Sequence, residues 1–166
     1  MNEDAKGTLD RLRQAAEPAI RRAMHFYWRF ARGMTLGVRG LVINPAGEVF
    51  LVKHSYVAGW HLPGGGVETG ETVMDALRRE LHEEGRIVLD GPPALHGVFF
   101  NARASRRDHV AVFVVRSYRQ DGAPVPDHEI IAHGFFAPDA LPADTTAGTR
   151  ARIAEVMRGA KVDERW

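Results

Sequence analysis

The stretch that most constrains this chain runs from Gly64 to Ile87, where three successive glycines lead into a glutamate-dense segment of helical periodicity. Gly64, Gly65 and Gly66 allow the backbone to turn sharply and to approach a ligand closely. Thr72, with Asp75 three residues on, reads as a capping box, so a helix is expected to begin there. Within that helix Met74, Leu77 and Leu81 stand at i, i+3 and i+7, an apolar stripe that must be buried. Glu80, Glu83 and Glu84 stand at i, i+3 and i+4, which projects their carboxylates from one neighbouring face. Gly85 and Arg86 follow as the expected end of the helix.

Three carboxylates that close repel one another, and no run of lysines lies alongside to neutralise them. A hard divalent cation relieves the repulsion, because Mg²⁺ or Mn²⁺ prefers oxygen ligands and shares its shell with water and substrate phosphate. A solvated acidic helix face has the same spacing, so the trio alone does not separate the two readings.

The full pattern resembles the Nudix box, G-x5-E-x7-R-E-U-x-E-E-x-G-U with U aliphatic. Gly65, Glu71, Arg79, Glu80, Leu81, Glu83, Glu84 and Ile87 match in register, and only the late glycine departs, being Arg86 with Gly85 just before it. Gly85 is therefore expected to provide the helix exit one residue early. The resemblance covers roughly residues 35–158 and implies an α/β fold, a Nudix-like α/β/α sandwich with a mixed sheet. It also implies hydrolysis, dependent on Mg²⁺ or Mn²⁺, of a diphosphate bond in a nucleoside diphosphate linked to another group. Glu80, Glu83 and Glu84 would hold the metal, Glu71 and Arg79 would form a structural ion pair, and the three glycines would lie against the phosphates. Many members carry a further glutamate just before a late strand, and Glu129 matches it as an extra ligand or base, with Glu84 the competing base and Glu83 beside it in the catalytic set. The alternative is a Nudix-like sensor that binds a nucleotide without hydrolysing it; a binder has no need of all three glutamates. ADP-ribose, dinucleoside polyphosphates, oxidised nucleoside triphosphates and nucleotide sugars all present the same diphosphate.

Composition sets the outer bounds. At 166 residues, 45% hydrophobic and 26% charged, the chain suits one globular domain with a sizeable core. The absence of cysteine excludes disulfides and thiolate sites, and a net charge of +1 gives no general attraction to nucleic acid. The amino terminus is too charged for a secretory signal and no apolar run reaches membrane-spanning length, which makes the cytoplasm the expected compartment.

Residues 1–34 read as an amino-terminal extension preceding a domain over 35–166. Residues 1–7 suit a disordered lead-in and 9–14 a weak helix, and a better helix runs from Pro18 to about Arg32. Its apolar positions Ile20, Met24, Tyr27, Trp28 and Ala31 oppose Arg22, His25, Arg29 and Arg32, and five arginines with no acid lie between Pro18 and Gly40. Residues 18–34 therefore suit peripheral contact with an anionic membrane or packing on the protein's own sheet or a second subunit, as in a homodimer. The second arrangement is the commoner for such a stripe.

Further on, strands are expected over Thr35–Ile43 and Val49–Lys53, joined by a turn at 44–48, then a loop over 54–59 and a lead-in at Trp60–Pro63. Tyr56 and Trp60 are aromatic candidates for stacking on a base, although packing is the more frequent fate of single aromatics. Ile87–Leu89 and Leu95–Phe100 read as short strands around a turn at 91–93. The polar loop 101–108 carries Arg103, Arg106 and Arg107, whose planar forks suit phosphate oxygens as well as they suit a solvated surface. His109–Tyr118 is the clearest strand and is expected to be central, followed by a loop over 119–128, a strand from Glu129 to Phe136, and a closing helix capped by Thr145 or Thr146 and ending near Arg158. The last residues, Trp166 included, carry no assignable role, and His128 and His133 suit the surface or the packing rather than a metal.

Overall fold

The computed structural model describes residues 17, 18, 20–22, 24, 26–28, 31, 33–122, 124 and 128–166. The lead-in over 1–7, the weak helix at 9–14 and the side chains of His25, Arg29 and Arg32 lie outside these. The chain divides into two units, Met1–Met34 and Thr35–Trp166. In the first, the described residues from 17 to 31 are helical and are referred to as α1.

The second unit contains, in chain order, β1 (Thr35–Val42), β2 (Val49–His54), β3 (Trp60–His61), α2 (Val73–Gly85), β4 (Ile87–Leu89), β5 (Ala94–Phe100), β6 (Asp108–Val115), β7 (Tyr118–Gln120), β8 (Ile130–Phe136) and α3 (Ala147–Arg158). Three small sheets form, ordered β1-β6-β5, β3-β2-β8 and β4-β7. β1 runs parallel to β6, whereas the other pairings are antiparallel, so the architecture is mixed. An antiparallel bridge between Ile43 and Val49 links the first two sheets at the β1–β2 turn. That turn is closed by the Asn44 carbonyl accepting from Gly47 N, at 2.9 Å, and by the Asn44 side chain, which bonds both Glu48 N and the Glu48 carboxylate.

Strand parity explains the layering. Val38 and Val42 of β1, Phe50 and Val52 of β2, and Ala111, Phe113 and Val115 of β6 face one side, where Ala76, Leu77 and Leu81 of α2 cover them. The alternate residues Leu41, Ile43, Val49, Leu51, Val110 and Val112 face the other side with Ile153 of α3. β6 is thus central and buried on both faces, which is why its sequence is a nearly unbroken apolar run. The result is an α/β/α sandwich.

Thr72 caps α2 as its sequence requires: its Oγ1 accepts from Asp75 N at 3.1 Å and donates to the Asp75 carboxylate at 2.6 Å. The other end of the helix corrects the expectation for Gly85. Arg86, not Gly85, holds the left-handed conformation, with φ 53° and its N–H directed to the His82 and Leu81 carbonyls. Gly85 is the last helical residue and is glycine for a different reason. A Cβ there would stand 2.8 Å from Ile87 Cδ1 and 2.9 Å from Phe50 Cε1, so the helix end packs directly against β2 and β4.

Two further differences are confined to long-range pairings. The strand expected over His109–Tyr118 ends at Val115, and Tyr118 instead opens a separate strand to Gln120, within the loop expected from 119, because β4 supplies its hydrogen bonds. Trp166 also has a role: its backbone N–H donates to the Phe100 carbonyl at 3.0 Å, while its ring lies edge-on to Phe99, with centroids 6.3 Å apart.

Because an L-residue is strained in the left-handed region, Arg86→Gly is expected to stabilise the protein by about 0.5–1 kcal/mol. Gly85→Val should instead cost about 1–3 kcal/mol by overpacking. Denaturant unfolding of both variants checks this, and a destabilised Arg86→Gly would contradict the placement of the exit.

Candidate active site

The approach to α2 is fixed first. Leu62 is buried, Gly40 N donates to the Pro63 carbonyl at 2.9 Å, Val38 N to the Gly65 carbonyl at 2.8 Å, and Val67 N to the Leu36 carbonyl at 2.8 Å. The loop therefore runs along β1 like an irregular extra strand. Gly64 has φ 139°, and a Cβ on it would collide with the Val38 carbonyl, so only glycine fits. Arg39, from the middle of β1, donates from Nη1 to the Leu62 carbonyl at 3.0 Å and also to the Gly64 carbonyl. With two carbonyls tied to one guanidinium, the backbone leading into the helix is held at both ends of its turn.

The loop is then tied to α2 by Arg79. Its Nε donates to Glu71 Oε1 at 3.0 Å and its Nη2 to Glu71 Oε2 at 3.1 Å, a two-pronged pair that holds the Glu71 carboxyl below the usual carboxylate range. The same guanidinium reaches the Gly66 carbonyl at 3.2 Å, Glu80 Oε1 at 2.7 Å and Glu83 Oε2 at 3.4 Å. Its own pKa is raised, chiefly by the bonds to Glu71 and Glu80.

Glu84 is the most enclosed of the three clustered glutamates. It is buried, Oε2 accepts from Gly64 N at 2.8 Å, and Oε1 lies 3.5 Å from Nε2 of the buried His54. Burial pushes its pKa up to about 8, helped by the charges of Glu80 and Glu129 and opposed by the Gly64 N–H and Arg39. Burial also raises Glu80, against the pull of Arg79. The same effect lowers Arg39 and His54, and the Arg39 charge further disfavours a protonated His54. Glu83 is exposed.

Glu80, Glu83, Glu84 and Glu129 line one cavity of about 200 Å³ together with Arg79 and Ile130. Glu129 reaches it from the residue before β8, and its Oε1 accepts from the Tyr56 hydroxyl at 2.9 Å. That hydroxyl is pushed up to about 12, first by desolvation and then by the bond to Glu129. The structure thus brings Glu71, Arg79, Glu80, Glu83, Glu84 and Glu129 into one neighbourhood. Gly64 is buried with its N–H engaged by Glu84, Gly65 lies against the Glu80 carboxylate, and Gly66 is exposed. Arg103 lines a separate cavity beside α3 and the carboxy-terminal residues, and Arg106 and Arg107 lie exposed in the loop between β5 and β6. Trp60 packs edge-on against Phe136, with ring centroids 4.9 Å apart, and belongs to the core on the α3 side. His133 packs over Phe50 and meets the Pro124 carbonyl at 2.9 Å.

A hard divalent cation fits the donor chemistry of this cleft, which is all carboxylate, with two of the four groups raised by burial. Among the described residues, no three acidic or imidazole groups already stand at metal-holding spacing. The reason is visible in the hydrogen bonds: Arg79 draws Glu80 and Glu83 toward itself, and the Gly64 N–H takes Glu84. Glu83, exposed and 3.4 Å from Arg79, is the one that turns at least cost.

Sequence reasoning missed Arg39 and His54. Arg39 was grouped with the basic residues of the extension, although a lone charge inside the apolar run 36–43 signals an internal partner. His54 continues the Phe50, Val52 parity that faces α2, a signal present in the sequence but hidden by the assignment of residue 54 to a loop.

A family model described as NUDIX domain matches residues 33–157. RNA pyrophosphohydrolases of Legionella pneumophila and Francisella tularensis are 42% and 40% identical over 52 residues, 31% of this chain and 30% and 34% of theirs. The chain therefore matches only about a third of the length of these curated relatives. Among solved structures, a MutT NUDIX hydrolase from Burkholderia pseudomallei superposes with a TM-score of 0.65 at 27% identity, over 74% of this chain and 98% of that one. A UDP-X diphosphatase covers 97% of this chain and 87% of its own at 20% identity and a TM-score of 0.57, a likeness of fold alone. Among the described residues no helix is long and apolar enough to cross a membrane. With most of its length matched by the family model and its loop-and-helix site assembled as above, the chain belongs to the Nudix family.

Proposed function

We propose that the protein is a pyrophosphohydrolase that uses Mg²⁺ or Mn²⁺ to cleave a phosphoanhydride bond in a nucleoside diphosphate linked to another group. The observation that carries this reading is the convergence of Glu80, Glu83, Glu84 and Glu129 on one cleft beside the glycine loop. Glu80, Glu83 and Glu84 would hold the cation. When bound, it would neutralise diphosphate oxygens and acidify a water molecule at the site. Arg79 keeps the helix face and the loop in one frame, and Gly66 offers exposed backbone at the cleft. Glu129 enters from a different segment and accepts the proton of the attacking water; Glu84, assigned to the cation, is the less available acceptor. The substrate is a small molecule rather than a nucleic acid, in keeping with a net charge of +1, and a 52-residue likeness to RNA pyrophosphohydrolases does not carry their substrate across. The intact carboxylate set speaks against a non-catalytic nucleotide sensor. A hydrolysis screen over ADP-ribose, dinucleoside polyphosphates, oxidised nucleoside triphosphates and nucleotide sugars, with each metal, tests the reading, and no turnover of any of them would favour the sensor.

In the active protein, Glu83→Gln and Glu84→Gln should each lower kcat by at least ~10²-fold while the fold is kept, since charge is lost and shape retained. Near-normal turnover of both at saturating Mg²⁺ would remove them from the mechanism.

Glu129→Gln should lower kcat strongly with little change in KM and flatten the acid limb of the pH–rate profile. Partial rescue by raised Mg²⁺ would make Glu129 a ligand instead, and an unchanged kcat would return the base to Glu84.

The raised Glu84 pKa also sets a pH dependence. In the metal-free protein a carboxyl near 8 binds a proton that the unfolded chain, at its ordinary carboxylate value, has released. Stability should therefore fall as pH rises from the ordinary carboxylate range to about 8. Cation binding displaces that proton, so affinity for Mn²⁺ should rise by up to about tenfold per pH unit below that point and level off above it. Calorimetric titrations across this range read both the affinity and the released proton. A flat affinity, or the same slope in Glu84→Gln, would contradict the assignment.

A further inference from the structure

The two carboxylates that compete for the role of base are both approached from one short segment, His54–Ser55–Tyr56, at the end of β2, Glu129 through a hydrogen bond and Glu84 at 3.5 Å. β2 and β8 pair regularly as far as Lys53↔Ala132 and then slip, so that His54 faces Ile130 and Ile131 is the extra residue. A bulge of this kind turns the chain and re-aims the side chains beyond it. Beyond this one, Ser55 N donates to the Glu129 carbonyl at 2.9 Å, Ser55 Oγ to the His128 carbonyl at 2.7 Å, and the Tyr56 hydroxyl to Glu129 Oε1 at 2.9 Å. On the inner face His54, following the parity of Phe50 and Val52, brings Nε2 to 3.5 Å from Glu84 Oε1. Its ring packs against those of Tyr56 and His61, with centroids 5.2 and 5.8 Å away, so its orientation is fixed.

The tautomer follows from the surroundings. His54 Nδ1 is buried with no hydrogen-bond partner among the described residues. An N–H there would be an orphaned donor, whereas an unprotonated Nδ1 leaves only an unpaired acceptor, and the proton on Nε2 then points at Glu84. Glu84 is thereby hydrogen-bonded by Gly64 N–H on one oxygen and faced by His54 Nε2, 3.5 Å away, on the other.

We infer that His54 and Tyr56 are the positioning residues of the cleft, His54 orienting Glu84 as a cation ligand and Tyr56 orienting Glu129 toward the attacking water. This rests on the metal-dependent reading of the site. The relevant geometry is the shared origin of the two contacts: a single turn of backbone sets the spacing between a helix carboxylate and a carboxylate from an unrelated segment.

Binding of Mn²⁺, followed by the paramagnetic resonance of the free ion with thermal unfolding in parallel, separates this from general structural support. His54→Leu removes the donor, His54→Gln returns an N–H in place of Nε2, and His54→Asn places one near Nδ1. Leu and Asn should weaken Mn²⁺ binding by about tenfold or more, and Gln should remain within about threefold of the unsubstituted protein. Tyr56→Phe should leave Mn²⁺ affinity unchanged and lower kcat about tenfold with little change in KM. A folded His54→Leu protein with normal Mn²⁺ affinity, or equal losses in Gln and Leu, would overturn the role of His54. An unchanged kcat in Tyr56→Phe would overturn that of Tyr56. Absence of Mn²⁺ binding by the unsubstituted protein would overturn the metal reading of the cleft, and this inference with it.

Discussion

The interaction on which the site depends is the engagement of the Arg79 guanidinium with Glu71, Gly66 and Glu80. The Gly64 N–H bond to Glu84 is the other directional tie between loop and helix, and the residues from Gly66 to Gly70 are mostly exposed. A planar fork bound bidentately to one carboxylate fixes orientation as well as distance, which a lysine could not do. The fork also sets the resting electrostatics. By pairing with Glu80 and Glu83 it offsets the repulsion between like charges on one helix face. On the proposed reading these carboxylates are cation donors, and Glu83, exposed, is the one able to change partner.

Arg39 has the complementary position. It approaches from β1, behind the loop, and ties down the carbonyls of Leu62 and Gly64 while its charge favours ionised Glu84 and Glu80. Burial works against both: it lowers Arg39 and raises the two glutamates. The site thus combines charges that each prefer water with a scaffold that denies it to them, a combination that a bound cation and a phosphate would relieve together.

Much of this could be read in the residues. The Leu77, Leu81 stripe, the Thr72 cap and the turn at 44–48 are local signals, encoded within a few residues of where they act, and each forms as its chemistry dictates. What escaped the sequence has the opposite character. β7 is polar and half exposed, and exists because β4, some thirty residues earlier in the chain, offers it a partner. The exit of α2 falls on Arg86 because Gly85 is needed where Phe50 and Ile87 close in, a demand made by two other strands. Arg39 looked like part of a basic extension until β1 placed it behind the carboxylates. In each case the deciding partner is distant in sequence, and no periodicity records it.

The far side of the sandwich shows how the same chain handles a buried charge that does no chemistry in the acidic cleft. Arg152 is fully buried in α3, stacked 3.8 Å over the Phe99 ring, and bonded to Glu155 at 2.5 Å and to the Arg165 carbonyl at 3.1 Å. Glu155 in turn meets His96 at 2.8 Å and the Asp163 N–H at 3.1 Å, so both its oxygens are engaged. Here the opposite charges of Arg152 and Glu155 are paired, although Arg152 Nε has no hydrogen-bond partner among the described residues, and the carboxy-terminal residues are drawn along the end of β5. Glu84 is buried to a similar extent but has no paired arginine: it meets an amide and an imidazole, with the Arg39 charge offsetting its burial only in part. The fold demonstrably can neutralise a buried glutamate with an arginine. Glu155 is paired with a buried arginine and Glu84 is not, a contrast in keeping with the proposal that a cation completes the balance in the acidic cleft.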